Sequence, residues 1–332
     1  MVNGPEEIFR QVNRERRRSI LLRIYQTQNG VLALAPRIKR HCWVCLTSPT
    51  DEELRYVQEE LKIFPDFLRY PLDEEETPRI ELEEDQLLII LRVPDPRHEE
   101  GFIRYETIPI GIILTEEAIV TVCLKENPVF DDFLIAVNKV RHFSLERPVL
   151  FLFHFFFCIA NLYLRYLRLI DKLITEYESE LYRSMRNKEL LKLLNIEKSL
   201  VYFNTALRAN DIVLTRLQSG RFLRLTEDDL EMLEDIQIEN RQAIEMAKIF
   251  SDILTGTMDA YASVISNNLN IVMKFLTAVT IVLMLPNLVA SIYGMNIPLP
   301  LQDSPHAFVI LMGLSFLLSG VVVALFIKKR LF

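Results

Sequence analysis

Residues 275–292 read FLTAVTIVLMLPNLVASI, and residues 307–327 read AFVILMGLSFLLSGVVVALFI. Neither stretch contains a charged residue. Each has about the length that a helix needs to cross roughly 30 Å of hydrocarbon. We therefore predict two membrane-spanning helices in this part of the sequence, and these two helices decide the fold class.

The charges beside the two apolar stretches predict their orientation. Lys274 precedes the first stretch, Lys328, Lys329 and Arg330 follow the second, and residues 293–306 between them contain no Lys or Arg. By the positive-inside rule, both termini lie in the cytoplasm and the connecting loop lies outside. We expect the protein to reside in the plasma membrane, in contact with lipid.

The rest of the chain has the composition of folded protein. The full chain of 332 residues carries a net charge of −7, with 50% hydrophobic and 25% charged residues. This composition excludes disorder along the whole chain. A nucleic-acid-binding protein would need a clustered basic surface, so the acidic balance predicts cations as partners and no nucleic acid. The four cysteines, which include the CxxC pair Cys42 and Cys45, are too few for a disulfide scaffold and are predicted to be reduced thiols in the core.

The region before the two spans predicts an α/β domain covered by helices. Residues 20–124 contain the β-rich runs WVCL, LLIILRV, TIPIGIIL and AIVTVCL around one helical stretch, DEELRYVQEELKIF. Residues 131–218 have helical periodicity with interleaved charges, so a helical layer should pack on the sheet. Within it, residues 149–160 (VLFLFHFFFCIA) are too few to span a membrane and favour a buried amphipathic helix.

A long stalk helix is predicted to continue directly into the first span. Thr226 precedes three acidic residues, which is typical of a helix N-cap, and no proline follows until Pro286. We therefore predict five regions: a cytoplasmic α/β domain (1–130), a cytoplasmic helical layer (131–225), the stalk with the first span (226–292), the extracellular loop (293–306), and the second span with a basic cytoplasmic tail (307–332).

One side of the stalk and first span is polar. Steps of alternately four and three residues, which stay on one seam of a helix, connect the residues that we call the polar seam: Asp259, Ser263, Ser266, Asn270, Met273, Thr277, Thr280, Met284, Asn287 and Ser291. An amide facing lipid would be costly, so this seam should face water or protein.

Two interpretations of the polar seam follow from its periodicity. Several copies of the helix could surround an aqueous pore, because one chain with two spans cannot enclose water. Alternatively, small and polar residues could simply join one helix to another. The acidic stalk before the membrane favours a path for cations over a path for anions.

The residues between the spans resemble a known family. Tyr293-Gly294-Met295-Asn296 directly follows the first span, and a basic tail follows the second. This arrangement is similar to the CorA-type divalent cation transporter family, whose signature is Gly-Met-Asn in this position. The resemblance implies a homopentamer with a large cytoplasmic funnel and a central pore lined by the first span.

The resemblance also implies roles for individual residues. Gly294, Met295 and Asn296 would form the extracellular selectivity filter, in which five amide oxygens suit a hydrated Mg²⁺. Met273 and Leu276 would form a hydrophobic constriction. Other pore-lining positions would be Asp259, Asn270, Thr277, Thr280, Met284 and Asn287. Asn287 stands where the family commonly has threonine, Pro286 is displaced by one position, and only Asp303 is acidic in the outer loop.

A regulatory site is implied in the cytoplasmic part. In the family, a divalent ion binds between neighbouring subunits through one acid of the sheet domain and one of the stalk. The matching residues are Asp85 and Asp235, so the metal ligands expected in this chain are these two and Asn296. The alternative is that both aspartates are ordinary solvated acids.

Three functions remain open at this point. The first is passive, electrochemically driven influx of Mg²⁺, and also of Co²⁺ and Ni²⁺, with Mg²⁺ as both transported and regulatory ion. The second is zinc transport, as in a related branch, and the third is a non-conducting membrane sensor or anchor with two spans. The sequence has no P-loop, HExxH motif or Ser/His/Asp constellation, so we expect neither a pump driven by ATP nor an enzyme.

Overall fold

The computed structural model describes residues 22–28, 30–99, 102–140, 143–184, 187–300 and 304–329. Asp303 and Arg330, both named above, lie outside these residues. The chain divides into two compact units, Met1–Thr255 and Gly256–Phe332. Each unit is described by itself below.

The first unit is built on a seven-stranded sheet. The strands are β1 (Leu22–Gln28), β2 (Val31–Leu34), β3 (Cys42–Thr47), β4 (Arg79–Glu83), β5 (Gln86–Glu99), β6 (Phe102–Leu114) and β7 (Ala118–Cys123). Their order across the sheet is β2-β1-β3-β7-β6-β5-β4. Within the described part of the sheet, β3 and β7 pair in parallel, with Cys42 opposite Ala118, and the other pairs are antiparallel.

The helices are numbered in the order in which they occur along the chain. They are α1 (Asp51–Leu61), α2 (Pro65–Arg69) with a 3-10 turn at Tyr70–Leu72, α3 (Pro128–Val137), α4 (Pro148–Ser184), α5 (Asn187–Gln218), α6 (Glu227–Tyr293) and α7 (Ala307–Lys328). The α/β domain, the long helix and the apolar C-terminal helix that the sequence predicts are therefore confirmed.

Both faces of the central strands are buried. On one face, Val44 and Leu46 pack in a cluster with Val57 of α1 and Phe67 of α2. On the other face, the Trp43 ring lies 5.3 Å from the rings of both Phe133 (α3) and Phe151 (α4). A strand covered on both sides reads as a continuous apolar run, as β3 and β7 do.

The same strand explains the CxxC pair. Cys42 and Cys45 are three residues apart in β3, so their side chains leave opposite faces of the sheet and cannot hold one metal ion together. All four cysteines are free and buried. Burial raises the pKa of the Cys45 thiol to about 11. The prediction of reduced core thiols is confirmed, and nothing in this geometry favours redox chemistry.

Helix α4 is apolar enough to be mistaken for a membrane span. Among the residues that the structure describes, three helices have the length and composition to cross a membrane: Pro148–Leu181 within α4, and the whole of α6 and α7. The apolar window is 61% buried inside the protein for α4, but only 6% buried for α6 and for α7. Phe151, Phe153 and Phe155 are fully covered, which confirms the predicted buried helix at residues 149–160.

The first part of α6 begins and packs as the sequence predicts. Thr226 is the N-cap: its hydroxyl accepts from the Asp229 N–H at 3.3 Å, and its own N–H donates to the Asp229 carboxylate at 3.0 Å. Further along, the buried amide of Asn240 donates to the Leu207 carbonyl of α5 at 3.2 Å. This end of α6 therefore belongs to the first unit.

Candidate ion pathway

In the second unit, helix α7 covers one side of α6. Ala278 is only 3% exposed, and Val282, Leu285 and Val289 are partly covered, at a spacing that keeps all four on one side of a helix. A direct contact joins the two helices, because the Ser319 hydroxyl of α7 lies 3.4 Å from the Val282 carbonyl. These four residues are called the α7-facing side below.

The polar seam lies on the opposite side of α6. At about 100° per residue, positions 273, 277, 280 and 284 point roughly 150° away from the α7-facing side. All the predicted pore-lining residues are exposed in the single chain: Asp259, Asn270, Met273, Leu276, Thr277, Thr280, Met284 and Asn287. The polar seam therefore does not serve to join α6 to α7 of the same chain, which leaves it free to face water or other chains.

Two threonines of the seam are oriented by their own helix. The Thr277 hydroxyl donates to the Met273 carbonyl, and the Thr280 hydroxyl donates to the Leu276 carbonyl, both at 2.8 Å. A hydroxyl whose proton is used in this way retains its oxygen lone pairs as acceptors. The seam thus offers oxygen acceptors, which suit a cation or the water molecules around it.

The Gly-Met-Asn segment directly follows the last turn of α6. The Gly294 N–H donates to the Ala290 carbonyl at 2.9 Å, and the Met295 N–H donates to the Ile292 carbonyl at 3.2 Å. A Cβ atom at position 294 would lie 3.3 Å from the Ala290 oxygen, which is tighter than ordinary contacts. Glycine is therefore suited to this position by close approach of the backbone rather than by a positive φ.

The loop beyond the signature folds back on the helix end. The Tyr293 hydroxyl donates to the Pro300 carbonyl at 3.2 Å, which closes a loop over residues 294–299. Met295 and Asn296 within this loop are exposed. The side chain of Asn296 is thus available to an ion at this end of the helix.

The two aspartates of the expected regulatory site lie in the first unit. Asp85 is in the tight turn between β4 and β5, and Asp235 is in the third turn of α6. Both are exposed in the single chain. Among the described residues, no group of three or more His, Cys, Asp or Glu side chains could hold a metal ion. The described residues of one chain therefore do not surround these aspartates with a third ligand of this kind.

Two contacts of this region were not expected from the sequence. The Ser319 contact with α6 and the closure of the loop by Tyr293 join residues 37 and 7 positions apart. A proline within a predicted span is the one signal that could have pointed to Ser319, since a serine or threonine of a neighbouring helix can supply a donor to the carbonyl that the proline leaves open. The sequence does not say which serine or threonine supplies it.

Comparison with known proteins indicates the same family as the Gly-Met-Asn segment does. The family model described as CorA-like Mg2+ transporter protein matches residues 39–330. The cobalt/magnesium transport protein CorA of Methanocaldococcus jannaschii is 32% identical over 291 residues, which cover 86% of this chain and 90% of the relative.

Solved structures agree with the sequence comparison. The complete structure of the CorA magnesium transporter from Methanocaldococcus jannaschii matches with a TM-score of 0.81 and 29% identity, covering 93% of this chain and 98% of the other. The cytoplasmic domain of ZntB from Vibrio parahaemolyticus shares the fold alone, with a TM-score of 0.59, 12% identity, and coverage of 74% and 99%. With its two apolar helices and the Gly-Met-Asn segment between them, this chain belongs to the CorA family of divalent cation transporters.

Proposed function

We propose that this protein carries Mg²⁺ into the cell, down its electrochemical gradient, as a homopentamer in the plasma membrane with both termini in the cytoplasm. The observation that carries the proposal is the polar seam, which is exposed on the side of α6 that α7 leaves uncovered and which leads to Asn296. One seam cannot enclose water, so several copies must surround an axis. The number five comes from the family resemblance.

The filter of the proposed pore is a ring of Asn296 amides with Gly294 and Met295. Mg²⁺ loses its water reluctantly, and neutral amide oxygens can bind it through its hydration shell. The printed name of the Methanocaldococcus jannaschii relative, a cobalt/magnesium transport protein, supports Mg²⁺ and Co²⁺ as cargo. Ni²⁺ is a third expected ion.

The proposed gate is the hydrophobic constriction at Met273 and Leu276. Their side chains are 53% and 58% exposed in the single chain, so neighbouring copies can bring them together around the axis. A narrow apolar ring blocks ions by excluding water and conducts when it widens. The acidic residues of the stalk, with Asp259 nearest the membrane, raise the local cation concentration on the cytoplasmic side.

Regulation by cytoplasmic Mg²⁺ is the second part of the proposal. Asp85 of one subunit and Asp235 of its neighbour would share a divalent ion, which neutralises carboxylates that otherwise repel each other. The exposure of both side chains supports a site between subunits. Loss of the ion would loosen the subunits and let the constriction at Met273 and Leu276 open.

The direct test is a flux assay with the full-length protein in liposomes that contain a Mg²⁺-sensitive dye. We expect Mg²⁺ to enter faster when the inside is electrically negative, and Co²⁺ and Ni²⁺ to compete. Uptake of Zn²⁺ that excess Mg²⁺ does not inhibit would indicate a zinc transporter instead. Absence of any divalent flux from correctly assembled protein would indicate a sensor or anchor.

A further inference from the structure

Pro286 leaves one carbonyl of α6 without its helical donor. In an α-helix each N–H donates to the carbonyl four residues earlier. Proline has no N–H, so the carbonyl of Val282 lacks this bond. Val282 lies on the α7-facing side, away from the polar seam, where the apolar residues of the two spans leave little water to replace the missing donor.

Ser319 of α7 supplies a donor to that same carbonyl. Its hydroxyl oxygen lies 3.4 Å from the Val282 oxygen, and the side chain is partly covered. Ser315, one turn earlier on the same side of α7, behaves differently, since its hydroxyl donates to the Leu311 carbonyl of its own helix at 2.9 Å. Of these two serines, only Ser319 crosses to α6, and it does so at the carbonyl that the proline leaves open.

This contact lies one turn before Pro286, where α6 lacks one intrahelical hydrogen bond. Pro286 separates most of α6 from its last segment, residues 287–293, and that segment carries Asn287 and leads to Gly294 and Asn296. With one intrahelical bond missing, the direction of the last segment depends on what holds it from outside. The Ser319 hydroxyl bonds to Val282, which lies just before Pro286 on the α7-facing side. It therefore holds α6 against α7 at the base of this segment, without entering the polar seam.

We propose that Ser319 is a positioning residue for transport, whose hydrogen bond to Val282 compensates for Pro286 and fixes α6 against α7 at the point from which the outer segment leads to the Asn296 filter. The inference rests on the proposed function of Asn296. It assigns a role in transport to a residue that neither lines the polar seam nor belongs to the signature. It predicts that the effects of replacing Ser319 and of replacing Pro286 on uptake depend on each other.

A double-mutant cycle tests this dependence. Ser319→Ala removes the donor, and we expect it to raise the half-saturating Mg²⁺ concentration for uptake about three-fold or more, as for residues coupled through a shared partner. Pro286→Ala restores a backbone N–H at position 286, which can donate to the Val282 carbonyl. In the Pro286→Ala background, Ser319→Ala should therefore change uptake little.

Two further variants separate positioning from general damage to the helix pair. Ser319→Thr keeps the hydroxyl and should retain wild-type uptake. Ser315→Ala removes a hydroxyl from the same side of α7 that bonds only within its own helix, and it should also leave uptake unchanged. An equal effect of Ser319→Ala in both backgrounds, or no effect in the wild-type background, would overturn the role of Ser319.

The outcome for the proposed function is distinguishable from the outcome for Ser319. If the wild-type protein carries no divalent cation, the proposed function fails and the role of Ser319 fails with it. If the wild-type protein carries Mg²⁺ and the cycle shows additive effects, only the role of Ser319 fails.

Discussion

The side-chain amide of Asn210 forms two hydrogen bonds with the main chain of Arg92. Its oxygen accepts from the Arg92 N–H and its nitrogen donates to the Arg92 carbonyl, both at 2.9 Å. Strand β4 begins at Arg79, opposite Ile90, so the part of β5 beyond Ile90 has no β4 neighbour and Arg92 lies at an open edge. The amide of α5 thus takes the place of a neighbouring strand and ties the helical layer to the sheet.

Replacement of Asn210 should destabilise the first unit. Asn210→Leu keeps the size of the side chain but leaves the partly buried Arg92 N–H without this acceptor, at a cost of about 1 kcal/mol. The Arg92 carbonyl retains the Tyr163 hydroxyl at 3.0 Å. We expect a clearly lower unfolding temperature in scanning fluorimetry. By contrast, Asn204→Leu in the same helix loses only an exposed hydrogen bond from the Arg208 guanidinium and should change stability by no more than about 0.5 kcal/mol. Equal effects of the two changes would argue against the bridging role.

The polar seam should be the water-accessible side of α6 in the assembled protein. Single cysteines at positions 273, 277, 280 and 284 should react with aqueous thiol reagents faster than cysteines at positions 278, 282 and 285, which face α7. The four native cysteines are buried and should contribute little background. A reaction rate without this helical periodicity would contradict a pore lined by α6.

Asn296 should be essential for uptake but not for assembly. Asn296→Ala deletes the amide oxygens of the proposed filter without removing buried surface, because the side chain is exposed. We expect Mg²⁺ flux to be lost while size-exclusion chromatography shows an unchanged oligomer. Asn267→Ala, away from the polar seam on α6, is the control and should keep wild-type flux. Near-normal flux in assembled Asn296→Ala protein would rule out the filter role.

Removal of the proposed regulatory pair should weaken control by cytoplasmic Mg²⁺. With Asp85→Asn and Asp235→Asn together, Mg²⁺ should protect the protein less against proteolysis, and internal Mg²⁺ should inhibit uptake less. The matched control changes the exposed neighbours, Glu84→Gln and Glu234→Gln, and should behave as the wild type. If the aspartate pair and the control pair give the same result, both aspartates are solvated surface acids.

Burial of His154 should make stability depend on pH. Burial beside Phe143 lowers the pKa of His154 below its ordinary value. As the pH falls below about 6.5, the unfolded chain therefore binds the proton before the folded chain does, and stability decreases until the pH passes the folded pKa. We expect His154→Phe to flatten the fall in unfolding temperature between pH 7 and pH 5.5. A His154→Phe slope equal to that of the wild type would contradict the expectation.

Local features of the fold could be predicted because each has a local cause. The two spans follow from the absence of charge over their length, and the start of α6 follows from Thr226 and its acidic neighbours. The hairpin of β5 and β6 is longer than its apolar runs indicate, because β5 continues through Pro94 and Pro96 to Glu99. Both prolines share the open edge with Arg92, where no strand needs their missing N–H.

Contacts between distant residues could not be predicted in the same way. Asn210 and Arg92 are 118 positions apart, and the amide could equally have faced solvent from the sequence alone. Ser315 and Ser319 look equivalent in the second apolar stretch, and only the rotation of α7 against α6 decides which one reaches Val282. At the candidate site, the sequence predicts which residues line the pathway, through the polar seam and the Gly-Met-Asn signature. It does not predict how these residues are arranged around an axis, because that arrangement involves several chains.

Because Trp43 is packed in the core of the first unit, tryptophan fluorescence reports on that unit separately from the rest of the protein. Trp43 is the only tryptophan of the chain, it is fully buried, and its indole N–H donates to the Thr121 hydroxyl at 2.9 Å. Excitation at the red edge of protein absorbance therefore reads the core between the sheet and helices α3 and α4. Tryptophan fluorescence of the wild-type chain therefore reports on this core alone. A tryptophan introduced into α7 would add a second fluorescence signal from a known position.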